Sequence, residues 1–251
     1  MNNNLRSSIA ENTAYVIVFG LLILAMFVLA RLAEVFISKK TGDEVSRMTT
    51  RKMVVIGVFS AISVVLMMIE VPVPFAPSFY KLDMSDLPAV IGGFAFGPMT
   101  GVMIEFIKIL LELVLRGTTT AFVGELANFV VGCSYVLPAS ILYLFKKTRK
   151  TALISCLVAT LIITIVGSSL NAFYLLPAFA ALYGMPMEAL IGMGTAINPS
   201  ITNLGTFVLF AVAPLNIIKG SLLSVVTVAV YKQLSPILKN ATVKAAKRQE
   251  A

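Results

Sequence analysis

Histidine is absent from this 251-residue sequence, and aspartate occurs only at Asp43, Asp83 and Asp86. Without histidine, Ser-His-Asp triads and the H-E-x-x-H zinc site are excluded. The three aspartates lie in predicted connectors or at a helix start, so no aspartyl dyad lies inside an apolar run. The nucleotide-binding pattern G-x-x-x-x-G-K-[ST] is also absent. These absences favour a binding or transport function over catalysis.

Cysteine and charge are also scarce. Cys133 and Cys156 lie inside apolar runs without C-x-x-C spacing, which is typical of small core residues rather than of a disulfide or a metal site. Charged residues make up 13% of the chain and hydrophobic residues 58%, and the mean hydropathy is +0.93. This composition lies outside the range of soluble domains. We therefore expect an integral membrane protein.

The apolar residues fall into runs, and a run of about 20 residues matches a hydrocarbon core of about 30 Å. Between the second and third runs, Pro72, Pro74 and Pro77 favour extended backbone in a structured loop. The proline- and glycine-containing stretch 177–203 is predicted to be a long loop with partial helix. The predicted membrane helices are 13–36, 53–69, 87–96, 99–115, 123–145, 152–176 and 204–231.

Lysine and arginine are distributed unequally between the connectors. The connectors 39–52, 146–150 and 232–248 together hold fourteen of them. The opposite side holds Arg6, Lys81 and Arg116. By the positive-inside rule the side with fourteen lysine and arginine residues is cytoplasmic. This places the amino terminus outside and the carboxyl terminus inside. The net charge of +8 is therefore interpreted as a topology signal and not as a nucleic-acid surface.

Ionisable groups inside predicted spans are costly and normally face protein or a water-filled cavity. Glu105, Lys108 and Glu112 share one helix face, and Lys108 can pair with either carboxylate. We interpret this group as a self-neutralising structural cluster. Glu125 lies at the outer start of its span, one turn from Asn128, where it could line a cavity or cap the helix.

A more specific pattern lies in the last span, where Asn216 and Lys219 share a face and Asn171 stands near the outer end of the preceding span. A carboxamide offers an acceptor and two donors, which suits a planar imide or amide edge of a ligand, and lysine adds up to three donors. The alternative is that the asparagines hydrogen-bond between helices. Spacing alone favours neither interpretation.

Gly57 and Ala61 lie one turn apart on the second run. Such a strip of small residues lets another membrane helix approach closely. Chance occurrence in a glycine-rich membrane protein is the alternative.

Two segments carry a resemblance to a known family. FYKLDMSDLPAVIGGFAFGP at 79–98, followed by GELANF at 124–129, resembles the substrate-binding S components of energy-coupling factor (ECF) vitamin transporters, most closely the riboflavin-specific members. The resemblance covers about 50–232. It implies an all-α fold with a six-helix core, so the helix at 13–36 would be an extra one. The expected organisation is an N-terminal helix and connector at 1–46, the substrate-binding membrane domain at 47–235 and a basic cytoplasmic tail at 236–251.

The resemblance also implies roles for individual residues. Hydrogen bonds to the vitamin would come from Asn171, Asn216 and Lys219. The lid over an outward cavity would be formed by Tyr80, Lys81, Leu82 and Asp83. Further candidates at the site are Glu125 and Asn128. Docking to the coupling subunit would use Gly57 and Ala61.

The resemblance implies a riboflavin-binding subunit in a bacterial cell membrane, with riboflavin as the transported ligand and no cofactor or metal of its own. Its partners would be a transmembrane coupling subunit and two cytoplasmic ATPases. Flavin mononucleotide or another ring vitamin is the alternative ligand, although a doubly charged phosphate favours an arginine cluster that the outer side lacks. The alternative from another class is an intramembrane enzyme with Glu105 or Glu125 as a base.

Overall fold

The computed structural model describes the backbone of residues 13–42, 48–118 and 120–247, and side chains between 17 and 230 within those ranges. Parts of the predicted termini and of the first connector, namely 1–12 with Arg6, 43–47 and 248–251, lie outside the described residues. The helices are α1 Thr13–Thr41, α2 Thr50–Met68, α3 Leu87–Phe96, α4 Pro98–Arg116, α5 Val123–Phe145, α6 Arg149–Leu170, α7 Leu176–Leu182, α8 Met187–Thr195, α9 Leu204–Phe207 and α10 Ala213–Lys247. Two π-helical turns, Asn171–Leu175 and Val208–Val212, join α6 to α7 and α9 to α10.

Five helical segments of the described chain are long and apolar enough to cross a membrane: Ile17–Thr41, Thr50–Met68, Val123–Phe145, Arg149–Leu182 and Leu204–Val230. α4 has 19 residues but carries four charged side chains, and α3 has 10 residues. The predicted all-α membrane fold is confirmed. α3 and α4 are also helical at the predicted positions.

The proline-rich loop between α2 and α3 is extended, as predicted. Its strands, β1 Val71–Pro72 and β2 Lys81–Leu82, pair antiparallel. At the tip, the Tyr80 amide donates to the carbonyl of Pro77 at 2.8 Å. The loop is therefore a short hairpin, called the outer hairpin below.

The sixth predicted span is longer than the sequence indicated. Helix was expected to end at Leu176 because proline follows it, yet α7 continues to Leu182. The π-helical turn ends at Leu175, two positions before Pro177, and the amide of Leu176 donates to the carbonyl of Asn171. This altered hydrogen-bond register lies where proline, which has no N–H, begins the next helix. The predicted partial helix in 177–203 is confirmed by the rest of α7 and by α8.

α1 packs against α4 and α5 along one face. Its inner face makes edge-to-face aromatic contacts, Phe19 with Phe129 at 6.4 Å and Phe27 with Phe106 at 5.6 Å between ring centroids. Buried Glu34 accepts a 3.3 Å hydrogen bond from the amide of Met99, at the start of α4. These contacts attach the additional helix through its apolar face and one carboxylate.

Candidate functional site

The two π-helical turns pack against each other near the outer hairpin. Asn171 begins the first of them, and Asn216 follows the second by about one turn. Single π-helical turns are rare and occur frequently at functional sites. Both asparagines are buried.

The carboxamides of Asn171 and Asn216 meet at Gly167, on the last turns of α6. Nδ2 of Asn171 donates to the Gly167 carbonyl at 2.8 Å. A Cβ atom at position 167 would lie 2.8 Å from both Nδ2 and Oδ1 of Asn216, so the approach of Asn216 requires glycine there. The structure therefore brings together two asparagines that are 45 positions apart in the sequence.

The outer hairpin reaches this pair through Tyr80. The Tyr80 hydroxyl donates to Oδ1 of Asn171 at 2.7 Å. Burial raises the pKa of Tyr80 far above its ordinary value, so the hydroxyl stays protonated and able to donate. The ring lies 6.2 Å from that of Phe207, and Leu82 packs in the same apolar cluster. Of the predicted lid residues, Tyr80 thus contacts Asn171 directly, and Leu82 packs in the apolar cluster beside Tyr80.

Lys219 lies one turn after Asn216 and is also buried, but its described contacts are carboxylates. Nζ is 2.9 Å from Oδ2 of Asp86 and 3.5 Å from Oδ2 of Asp83. Asp83, a predicted lid residue, comes directly after the outer hairpin. Lys219 therefore connects the last helix to the chain segment between the hairpin and α3.

Asp86 continues this network to α4. Its Oδ1 accepts from Lys108 Nζ at 2.7 Å, and Lys108 also lies 2.5 Å from Oε2 of Glu105. The predicted Glu105–Lys108 pair is confirmed, whereas the ion pairs of Lys108 in the described structure do not include Glu112. Sequence analysis missed Asp86 because a carboxylate at a helix start is expected to cap the helix in solvent. Its side chain makes no capping bond and is fully buried.

The other predicted site residues lie apart from this group. Glu125 accepts from the Thr120 hydroxyl at 2.8 Å, at the start of its own helix, and Asn128 is half-buried. Lys81 is exposed and pairs with Glu70 at 2.5 Å. The described hydrogen bond of Glu125 is therefore to the loop before α5 and is not a bond to the backbone of the helix start.

Gly57 and Ala61 are exposed on α2. A Cβ atom at Gly57 would meet nothing within 4 Å among the described residues. The strip is therefore open for contact from outside the molecule.

Residues 51–231 match the family of ECF transporter substrate-specific components. This chain belongs to that family. RibU of Staphylococcus aureus, named a riboflavin transporter, is 34% identical over 189 residues, which is 75% of this chain and 93% of the relative. FmnP of Bacillus subtilis, also named a riboflavin transporter, is 33% identical over 190 residues, or 75% of this chain and 94% of the relative.

A solved structure of the S component of a bacterial ECF transporter is 33% identical, with a TM-score of 0.59, and the match covers 76% of this chain and 99% of that one. The likeness confirms the S-component fold. α1 ends before residue 51, where the family match begins, so this S component carries the predicted additional N-terminal helix outside the shared core.

Proposed function

We propose that this S component is the riboflavin-binding subunit of an ECF-type vitamin uptake transporter. The observation that carries the proposal is the convergence of Asn171 and Asn216 on Gly167 under the outer hairpin. Carboxamides combine donors and acceptors, which complements the imide edge of an isoalloxazine ring. The names of the relatives in Staphylococcus aureus and Bacillus subtilis support this ligand.

The charges around the site favour the neutral vitamin over flavin mononucleotide. Lys219 and Lys108 face three carboxylates, those of Asp83, Asp86 and Glu105. A dianionic phosphate placed here would meet a surplus of negative charge. On the outer surface, Lys81 and Arg116 both pair with Glu70.

Delivery of the vitamin would depend on partners. The exposed strip of Gly57 and Ala61 is the proposed docking surface for a transmembrane coupling subunit, which would be driven by two cytoplasmic ATPases. In this proposal the chain is not an enzyme and needs no cofactor. Glu105 and Glu125, the candidate bases, are engaged with Lys108 and Thr120 respectively.

The proposed location is the bacterial cell membrane, with the amino terminus outside and the carboxyl terminus in the cytoplasm. The basic connector at 146–150 would then be cytoplasmic. A cysteine introduced at Lys147 should escape an impermeant thiol reagent in whole cells. Labelling of this cysteine would contradict the proposed orientation.

The absorption spectrum of the purified protein tests the ligand class. We expect protein from cells grown with riboflavin to carry the visible flavin band through size-exclusion chromatography in detergent. Riboflavin should be released on denaturation and identified by its mass. Purified protein that stays colourless after incubation with riboflavin and separation from free ligand would contradict the proposal.

A further inference from the structure

A line of buried ion pairs runs through the centre of the molecule, beside the proposed site. It leads from Lys219 on α10 to Asp86 at the start of α3 and on to Lys108 on α4, with contacts of 2.9 and 2.7 Å. Side-chain exposure is 11% for Lys219, 0% for Asp86 and 1% for Lys108. Lys108 and Asp86 therefore present almost no surface to a ligand, whereas Lys219 is partly accessible.

We propose that Asp86 is a positioning residue for ligand binding, which holds the Lys219 ammonium in place and is itself held by Lys108. The inference rests on the proposed function and on the ligand contact that the family resemblance implies for Lys219, and it extends the site by two residues, Asp86 and Lys108. Asp86 acts through Lys219 and does not touch the ligand.

Asp86 is well suited to this role because its position is fixed from several directions. Each carboxylate oxygen faces a different lysine, Oδ1 facing Lys108 and Oδ2 facing Lys219. The residues after it, Leu87 and Pro88, begin α3, where proline fixes the backbone φ angle. Gly132 of α5 completes the packing, since a Cβ there would lie 3.1 Å from Oδ1 of Asp86.

Lys219 needs such a partner because its four-carbon side chain is flexible and its charge is costly to bury alone. Its second carboxylate, Asp83, is 3.5 Å away and directly follows the outer hairpin. Asp86 is fully buried at the start of α3 and so holds the ammonium from the packed core and not from the hairpin. An ammonium has three N–H donors, and Lys219 faces only two carboxylate oxygens among the described residues, so at least one N–H remains for a ligand oxygen.

Glu105 supplies a matched comparison within the same cluster. It is fully buried like Asp86 and is bonded to Lys108 at 2.5 Å, but its described ion pair does not include Lys219. Glu105→Gln and Asp86→Asn each remove one negative charge from the cluster. Of the two variants, only Asp86→Asn removes a carboxylate that is paired with Lys219.

A double-mutant cycle with riboflavin titrations tests the proposal. The variants are Asp86→Asn, Lys219→Met and their combination, with Glu105→Gln as the control and a thermal unfolding curve for each. Directly contacting residues typically couple by about 2- to 150-fold. We expect Asp86→Asn to weaken riboflavin binding about 10- to 100-fold with Lys219 present, and less than about 3-fold in the Lys219→Met background. Glu105→Gln should remain within about 3-fold of wild type.

A merely structural role for Asp86 would carry the same loss of affinity into the Lys219→Met background, and that result would overturn the inference. Unchanged affinity in Asp86→Asn would also overturn it while leaving the proposed function intact. If the wild type itself binds no riboflavin, the proposed function fails and the inference with it. Should Asp86→Asn fail to fold, Asp86→Glu replaces it in the cycle, because it keeps the charge but displaces the carboxylate, and the same coupling is expected.

Discussion

The hydroxyl of Tyr80 and Oδ1 of Asn171 are joined by a 2.7 Å hydrogen bond, so the outer hairpin is attached directly to a proposed ligand contact. The other end of the same carboxamide donates to the carbonyl of Gly167 at 2.8 Å. Asn171 is thus oriented from both ends and keeps one N–H and one lone pair for a ligand. Tyr80 therefore links the position of the outer hairpin to the orientation of Asn171.

Tyr80→Phe should weaken riboflavin binding about 2- to 13-fold, because a typical hydrogen bond contributes about 0.5–1.5 kcal/mol. The loss should lie mainly in faster dissociation, since the hairpin is then held less firmly. Stopped-flow measurement of flavin fluorescence gives both rate constants. The matched control is Tyr183→Phe at a residue that is 47% exposed, which should leave both rates unchanged. Tighter binding by Tyr80→Phe would show that Tyr80 competes with the ligand for Asn171.

Gly167→Ala should reduce riboflavin affinity about 10-fold or more without loss of thermal stability. The added Cβ would lie 2.8 Å from the Asn216 carboxamide, which must then move away. Stability should not fall, because alanine favours helix by about 1 kcal/mol over glycine. Titration and thermal unfolding of the same preparation separate the two effects. Gly192→Ala on α8 is the control, because its Cβ meets nothing within 4 Å among the described residues. Equal affinity of the two variants would show that the position of Asn216 is unimportant for binding.

Glu34→Leu should lower the thermal unfolding midpoint. The variant removes the acceptor of the Met99 amide and the carboxylate 4.0 Å from Lys52, whose side chain is 2% exposed. An unsatisfied buried group costs about 1–3 kcal/mol. Arg31→Ala is the control, because it breaks only an ion pair at a side chain that is 56% exposed, and such pairs contribute about 0–1 kcal/mol. An unchanged midpoint in Glu34→Leu would mean that apolar packing alone holds α1.

Replacing Gly57 and Ala61 together by leucine should abolish co-purification with the coupling subunit while changing riboflavin affinity by less than about 2-fold. Both positions are exposed, so the added bulk meets a partner and not this chain. Affinity and co-purification are measured on the same preparation. Leu161→Phe with Ile165→Phe adds bulk to an exposed face of α6, at residues exposed by 65% and 66%, and should leave the complex intact. An intact complex in the leucine variant would remove the strip from the docking surface.

Much of the fold follows from patterns that lie within single segments. Long apolar runs predict the spans because length and composition alone decide whether a helix crosses a bilayer. The prolines of the outer hairpin exclude regular helix locally. The spacing of Glu105 and Lys108 predicts their ion pair because residues three apart share a helix face. Each of these inferences needs no knowledge of how helices pack.

The network around Asp86 could not be predicted in this way, because Asp86 and Lys219 are 133 positions apart and meet only through tertiary packing. The convergence of Asn171 and Asn216 also depends on tertiary packing. Its one local sign is Gly167, one turn before Asn171, because a glycine lets another side chain approach the helix backbone closely. The continuation of helix through Pro177 is not predicted because a proline locally indicates a helix end, whereas the π-helical turn that precedes it is visible only in the structure.

Calorimetric titration of riboflavin and flavin mononucleotide into the wild type and Asn216→Leu tests the central claim most directly. We expect saturable binding of riboflavin by the wild type, weaker binding of the phosphate, and a loss of about 5- to 150-fold in Asn216→Leu, because removing a buried hydrogen-bonding partner costs about 1–3 kcal/mol. The thermal unfolding curve of ligand-free Asn216→Leu serves as the folding control. Absence of riboflavin binding by the wild type, or wild-type affinity in a folded Asn216→Leu variant, would contradict the account.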